Sequence, residues 1–328
     1  MTNRGAVLVA GGAGYIGSQT CKSLHAAGYL PVTLDNLSTG HAPAVKWGPL
    51  RQGDIRDATL VKELSAEFGI RAAIHFAASS LVGESVSNPA KYYDNNVGAA
   101  VAFTQALIES GVKSLVFSST AAVYGEPSMV PIPEDHAKAP LNPYGATKLA
   151  FEEALRWLGQ AGGLNWTVLR YFNAAGADPQ GEVGESHLDE THLIPLACQA
   201  ALGRGPGLKV FGDDYDTPDG TAIRDYVHVA DLAEAHVLSI GRLLAAGGNL
   251  AMNVGTGEGA SVLKVVQAVE KTLGRPAPRT VGPRRAGDPA RLVADARLIR
   301  TELGWVPRRS DLASIVKDAM HWQQMRPY

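Results

Sequence analysis

Tyr144 and Lys148 stand four residues apart in "NPYGATK", a spacing that suits acid–base chemistry. A free phenol ionises near pH 10, so service as a base near neutrality needs a drop of roughly 3 units, or about 4 kcal/mol. An ammonium at about 4 Å supplies on the order of 4 kcal/mol at an effective dielectric of 20. Asn142 is a good N-cap and Pro143 suits the first helical position. Tyr144 then falls in the first turn, with Lys148 one turn later on the same face. The positive helix end adds roughly 0.3–1 kcal/mol. An ordinary helix with one aromatic and one solvated cation has the same pattern, so the pair needs partners.

One partner is Thr120, which closes the apolar run in "LVFSSTAAVYG". Hydroxyls at the C-terminal end of a parallel strand face the ligand crevice. A second is the glycine loop of "VLVAGGAGYIGSQT", with Gly11, Gly14 and Gly17 at G-x-x-G-x-x-G spacing between a strand and a helix. Glycines there let the backbone approach a pyrophosphate, and the free N–H groups near Tyr15 and Ile16 face it. Ser18 follows Gly17 and no lysine does, so the loop is not a Walker A. Asp35 ends the next strand, 18 residues beyond Gly17, placed to accept hydrogen bonds from a ribose. It disfavours the extra phosphate of NADP, and no arginine lies in "DNLSTGH", so the cofactor expected is NAD. Asp54 and Ile55 in "GDIRD" follow the third strand, where an adenine ring could rest.

These residues are positioned by an alternating pattern. Strand-like runs at Ala6–Ala10, Pro31–Leu34, Ala72–Phe76, Ser114–Ser118 and Thr167–Tyr171 interleave with helical stretches near Gly14–Ala27, Asp57–Phe68, Pro89–Ser110 and Pro143–Ala161. That rhythm predicts an α/β fold with a doubly wound, Rossmann-type parallel sheet. From about Ala174 the rhythm breaks. Helices are expected at Thr191–Leu202, Asp231–Leu244, Val262–Leu273 (capped by Ser261), Asp295–Leu303 and Asp311–Met325, with a hairpin in "LKVFGDDYDTPDGTAIRDYVHV" and a strand in "AMNVG". We read residues 1–173 as the NAD-binding domain, with about 225–257 packing back onto it. The rest of 174–328 forms a smaller C-terminal substrate lobe.

The 328 residues are 45% hydrophobic and 19% charged, with a net charge of −2. Nothing in that balance calls for nucleic acid or an anionic membrane surface. No apolar run approaches the ~18 residues of a membrane span. The N-terminus lacks the apolar core and cleavage site of a signal peptide, so a cytoplasmic protein is expected. Cys21 and Cys198 make no disulfide framework. The nine histidines show no H-E-x-x-H or paired metal spacing, so no metal is expected.

Together the glycine loop, "HFAA", "YYDNNV", "FSSTAAVYG", "NPYGATK", "LRYFNAAGADP", "VFGDDYDTPDGTAIRDYVHV" and "RRAGD" resemble the UDP-galactose (UDP-glucose) 4-epimerase family of the extended short-chain dehydrogenase/reductase superfamily. The resemblance runs from about Val7 to Trp322, and the last three motifs are the most specific. It implies that Tyr144 takes the proton of the sugar 4-hydroxyl, that Lys148 lowers its pKa and holds the nicotinamide ribose, and that Thr120 shares the hydrogen bond. Tyr15, Ile16, Asp35, Asn36, Asp54, Ile55, Phe76, Ala77, Ala78, Asn95 and Phe172 fall where the family contacts NAD. Asn173, Leu193, Phe211, Arg224, Arg285 and Asp288 fall where it holds the UDP-sugar, with His192 a further candidate. A tightly bound NAD regenerated in each cycle and a homodimer built on a four-helix interface are implied as well. Val101, Phe103, Leu107, Leu149 and Leu155 form apolar faces on the helices concerned.

Three positions depart from the pattern: Ser80 stands where a lysine is frequent, His192 where asparagine is, and Leu292 aligns with a position that gates N-acetylated sugars. A UDP-pentose or UDP-N-acetylhexosamine 4-epimerase is the close alternative. A dehydratase lacks its acid, because Ala121 and Ala122 follow Thr120. A non-catalytic NAD sensor would have little use for a Tyr–Lys pair.

Overall fold

The structure is a computed structural model that describes residues 4–285, 287–325, 327 and 328. The chain begins β1 (Ala6–Ala10), α1 (Tyr15–Ala26), β2 (Leu30–Asp35), β3 (Leu50–Gln52), α2 (Ala58–Phe68) and β4 (Ile70–His75). It continues through α3 (Val82–Ser87), α4 (Pro89–Tyr93), α5 (Ala100–Glu109), β5 (Ser114–Thr120), α6 (Pro143–Gly162) and β6 (Asn165–Tyr171). Then follow β7 (Asn173–Ala175), α7 (Leu193–Ala201), β8 (Leu208–Phe211), β9 (Ile223–Arg224), β10 (Tyr226–His228), α8 (Val229–Ala246) and β11 (Leu250–Val254). The last elements are β12 (Ala260–Ser261), α9 (Val262–Leu273), β13 (Arg279–Gly282), β14 (Arg291–Leu292), α10 (Arg297–Leu303) and α11 (Leu312–Met325).

Seven parallel strands form the central sheet in the order β11-β6-β5-β4-β1-β2-β3. Strands such as AVLVA are buried throughout, which is why they read as unbroken apolar runs. Leu8, Leu34, Phe103, Leu107, Phe151 and Leu155 pack one face of the sheet, under α2, α5 and α6. Val9, Leu24, Ile74, Leu232, Ile240 and Trp305 pack the other, under α1, α8 and α10. The strand order reverses between β1 and β4, which makes the crevice beyond their C-terminal ends the expected ligand site. A third core joins α7, α9 and α11 in the C-terminal lobe. The segment from 225 to 257 returns to the sheet: α8 lies on α1 and β11 pairs with β6.

Two expectations change. The stretch from Leu208 to Val229 forms no hairpin: β8 pairs with β13, β9 with β12 and β14, and β10 with β7. Its loop folds on itself instead, with the Tyr215 N–H donating to the Gly220 carbonyl. The helix expected over Pro89–Ser110 is broken by a π-helical turn at Asp94–Ala99. Such turns widen the helix locally and collect at functional sites. Here the turn buries Asn96, which binds the Ser79 backbone N–H and carbonyl as well as the Thr147 hydroxyl on α6. The short β4 loop is thereby tied to α6.

Candidate active site

The glycine loop closes the crevice at the strand switch. The N–H groups of Phe76 and Ala77, just after β4, donate to the Ala10 carbonyl. Gly11 has φ +82°, and a Cβ there would lie 2.7 Å from the Ala77 nitrogen. A Cβ on Gly17 would collide with the Gly11 carbonyl. Gly14 differs: its nearest neighbour would be the Gly11 oxygen at 3.4 Å, so its outer side is open. No side chain caps α1, and its first turn holds no acid. The free N–H groups around Tyr15 and Ile16 are thus available to an anion. Tyr15 turns its phenol away, donating to the Gly176 carbonyl at 2.6 Å. The Asp35 carboxylate accepts from Ala13 N–H and Leu37 N–H, each at 2.9 Å, and each oxygen keeps a further lone pair for a ribose hydroxyl. The open cradle and the fixed acid fit a dinucleotide.

Asn36, Asp54 and Ile55 lie just beyond β2 and β3. Ile55 is buried in the core under α2, and Asp54 accepts from Arg56 N–H. Ala78 follows Ala77 in the loop tied down by Asn96. Asn95 donates to the Ser79 hydroxyl at 3.4 Å from the π-helical turn.

Thr120 and Tyr144 meet at the end of β5. Asn142 caps α6 by accepting from Gly145 N–H, which sets Tyr144 in the first turn. The Thr120 oxygen accepts from Ala122 N–H at 3.1 Å, leaving its own proton to donate to Tyr144. Lys148 is only 3% exposed and donates to the Ser118 carbonyl at 2.9 Å. Burial pushes its ammonium down to about 7.

Lys148 is not among the groups that set the Tyr144 phenol in the protein alone. The ammonium lies 6.0 Å from the Tyr144 ring centroid. Burial holds the phenol above its ordinary value, and the Thr120 hydroxyl offsets only part of this. The protein's own groups therefore hold the phenol protonated near neutrality.

Sequence reasoning missed the groups behind this pair. Tyr171, at the end of β6, hydrogen-bonds the Ser118 hydroxyl; burial, with a smaller push from Tyr144, raises its pKa. Glu152, one turn beyond Lys148, pairs with Arg170 at 2.6 Å and accepts from Ser119. Arg170 in turn reaches Tyr124, whose phenol donates to Asn253. The charges of "LRYFN" and α6 needed the β5–β6 pairing to reveal themselves as one buried network.

Across the crevice, Arg224 at the end of β9 pairs with Asp288 and donates to the Ile223 carbonyl at 2.7 Å. Arg285 lies 4.0 Å over the Phe211 ring at the end of β8. Tyr215, also missed, carries a buried hydroxyl without a hydrogen-bond partner beside Arg224 and Asp288. Leu292 is the register partner of Arg224 and, like Phe172 and Leu149 of α6, packs against the small core of Ala121, Val123, Tyr124 and Ile132. Asn173 begins β7, beside Phe172, and pairs with Tyr226. Ser80 sits in the β4 loop.

His192 is the candidate for a sugar or diphosphate contact. It precedes α7 and Leu193 but turns its Nδ1 to Glu185 at 2.6 Å and Glu190 at 3.2 Å. Burial lowers its pKa less than the two carboxylates raise it, to about 10. His187 joins the same group, so the four side chains form a cluster that could hold a metal ion. The expectation of no metal-ligand set overlooked the E-x-H-x-x-E-x-H pattern of "ESHLDETH".

A glycine cradle at the switch of a parallel sheet, with a half-buried tyrosine on the helix after β5, defines a dinucleotide-binding fold of the reductase and epimerase type. The chain belongs to the NAD dependent epimerase/dehydratase family, whose model matches residues 7–255. It is 52% identical over 320 residues to the UDP-glucose 4-epimerase of Rhizobium meliloti, covering 98% of this chain and 97% of that one. Its fold matches UDP-glucose 4-epimerase from Brucella ovis in complex with NAD, with TM-score 0.95, 51% identity and coverage of 98% and 99%. It also matches UDP-glucose 4-epimerase from Bifidobacterium longum in complex with NAD+ and UDP, with TM-score 0.93, 39% identity and coverage of 98% and 99%. Among the described residues, no helix is long and apolar enough to cross a membrane.

Proposed function

We propose that this protein is an NAD-dependent epimerase that inverts C4 of a UDP-hexose, interconverting UDP-glucose and UDP-galactose. The observation that carries this reading is the Thr120–Tyr144–Lys148 group at the end of β5, in the sheet whose β1 leads into the glycine cradle, with the Arg224–Asp288 pair set in the lobe. NAD bound in the cradle supplies a hydride acceptor, a hydride donor for the return step, and a positive charge that favours the Tyr144 phenolate.

Tyr144 takes the proton of the C4 hydroxyl as the sugar becomes a 4-keto sugar, and later returns it. Thr120 donates a hydrogen bond to the phenol oxygen and steadies its ionised form. Lys148, drawn toward its neutral form by burial, is recharged by the same negative phenolate and holds it in place. Arg224 and Arg285 match the diphosphate with planar guanidinium forks. Asp288 and Asn173 orient the uridine end. UDP stays anchored while the sugar turns its other face.

Residues 1–173 with 225–257 act in this reading as the dinucleotide unit, and the rest of 174–328 as the UDP-sugar lobe. The protein works in the cytoplasm as a homodimer. Phe103, Leu107 and Leu155 are buried within the protomer and cannot form the interface. Tyr93 on α4 and Trp157 on α6, 48% and 59% exposed, are available for it. Light scattering on the purified protein reads the mass, and a monomer would remove the dimer.

The test of function incubates the protein with UDP-galactose, UDP-N-acetylgalactosamine and UDP-arabinose and separates the products by chromatography. UDP-glucose should form from UDP-galactose without accumulation of free NADH. Stoichiometric NADH, or a turnover confined to the pentose, would overturn the assignment.

A further inference from the structure

Glu185, His187, Glu190 and His192 converge on one point from a single loop, between the α1 face and the start of α7. One ligand atom from each lies within 4.8 Å of every other. His187 Nδ1 stands 3.5 Å from Glu185 Oε1 and 3.5 Å from Glu190 Oε2. Two ligand atoms on a tetrahedral zinc ion, with bonds near 2.1 Å, lie about 3.4 Å apart. Neither Glu190 Oε2 nor His187 Nδ1 has a hydrogen-bond partner, although the Glu190 side chain is only 6% exposed. The Glu185 side chain is 4% exposed and meets both histidines. With both histidines neutral, as ligation requires, the four side chains carry a charge of −2, which a divalent cation cancels in place of the imidazolium that otherwise answers part of it.

We propose that these four side chains bind a divalent transition-metal ion, Zn²⁺ in the first instance, as a structural site. Paired imidazoles select zinc and its neighbours over Ca²⁺ and Mg²⁺, which prefer oxygen ligands. Four protein ligands leave no open position for catalysis. The ion is placed to fasten a loop already held at its ends. Tyr15 on α1 reaches Gly176, Lys22 reaches Asp178 and Glu182, and His41 reaches the Ser186 carbonyl. Trp322 of α11 donates to the Glu185 carbonyl at 2.8 Å. His192 immediately precedes α7, so the ion ties this loop to the start of that helix.

The test uses the full chain expressed in zinc-supplemented medium and reads metal by mass spectrometry. About one Zn²⁺ per chain is expected, removable by a chelator with a fall in melting temperature. Co²⁺ added to the chelated protein should give the intense visible bands of a tetrahedral ion. His187→Ala should abolish both signals, weakening binding by more than the ~10–100-fold typical of a lost supporting group. If that variant fails to fold, Glu190→Gln, which keeps the side-chain shape, should show the same loss. Sub-stoichiometric zinc with no cobalt bands, or bands unchanged in a folded variant, would overturn the site and leave a histidine–carboxylate ion-pair cluster.

Discussion

The crevice wall at the strand ends and the wall supplied by the C-terminal lobe place charge by different means. At the strand ends, backbone dominates: Gly11 and Gly17 make close approaches that no side chain could share, and Gly14 leads into the uncapped N–H groups of α1. The polar side chains there are buried and locked, as Lys148 on the Ser118 carbonyl and Glu152 on Arg170. In the lobe, long flexible arginines reach in from short strands and loops, with Arg285 on Phe211 and Arg224 on Asp288. The contrast matches the two tasks. Proton and hydride transfer demand fixed geometry, whereas a diphosphate anchor needs charge and tolerates movement of the sugar beyond it.

The largest test of this contrast lies at the strand ends. Tyr144→Phe should lower kcat by roughly 10²–10⁴-fold, the usual worth of a positioned acid–base group. Bound NAD should remain, read by absorbance after denaturation. A variant with near-normal turnover would remove the tyrosine from the chemistry.

Gly17→Ala tests the backbone wall. Its methyl would strike the Gly11 carbonyl, so the protein should lose about 1–3 kcal/mol of stability or more, and retained NAD with it. A melting curve and cofactor count that match the parent would show that the loop yields.

On the lobe side, Arg224→Ala should raise KM for the UDP-sugar with a smaller change in kcat. A charge-assisted hydrogen bond is worth about 1.5–3 kcal/mol, roughly 10–150-fold. A loss confined to kcat would make this arginine part of the fixed machinery and erase the contrast.

The smallest effect near neutral pH comes from His75, behind the site. Burial, with a smaller push from Lys148, holds its folded pKa near 3. Its neutral form contributes stability that is full above about pH 6.5 and is lost as pH falls toward 3. The unfolded chain takes up the proton first, so stability should fall by up to about 1.4 kcal/mol per pH unit from this group. Denaturant melts of His75→Phe beside the parent should show a flatter acid limb; identical limbs would show the histidine solvated.

Much of the frame was legible in the sequence because it rests on local rules. Parallel strands buried on both faces read as apolar runs, and Asn142, Asp57 and Ser261 cap helices at their expected starts. The glycine spacing and Asp35 follow from chain order alone. What escaped depends on contacts between distant segments. The strands between Leu208 and Val229 go to three sheets, a choice made by β13, β14 and β7 rather than by their own pattern. The charge on Lys148 depends on its burial, which spacing does not convey. His192 was singled out, but its partners Glu185 and Glu190 emerge only when the loop folds back on itself.

The short parallel pair of β7 and β10 has a mechanical meaning. The chain leaves the sheet for the lobe through Asn173–Ala175 and comes back through Tyr226–His228, with Asn173 facing Tyr226 and Ala175 facing His228. The chain crosses again from β11 to α9, from β14 to α10 and from α10 to α11, so this hydrogen-bonded pair is one of several plies that hold the lobe against torsion. The half-turn that exposes the opposite face of a sugar then falls on the bonds joining it to its phosphates, not on the protein.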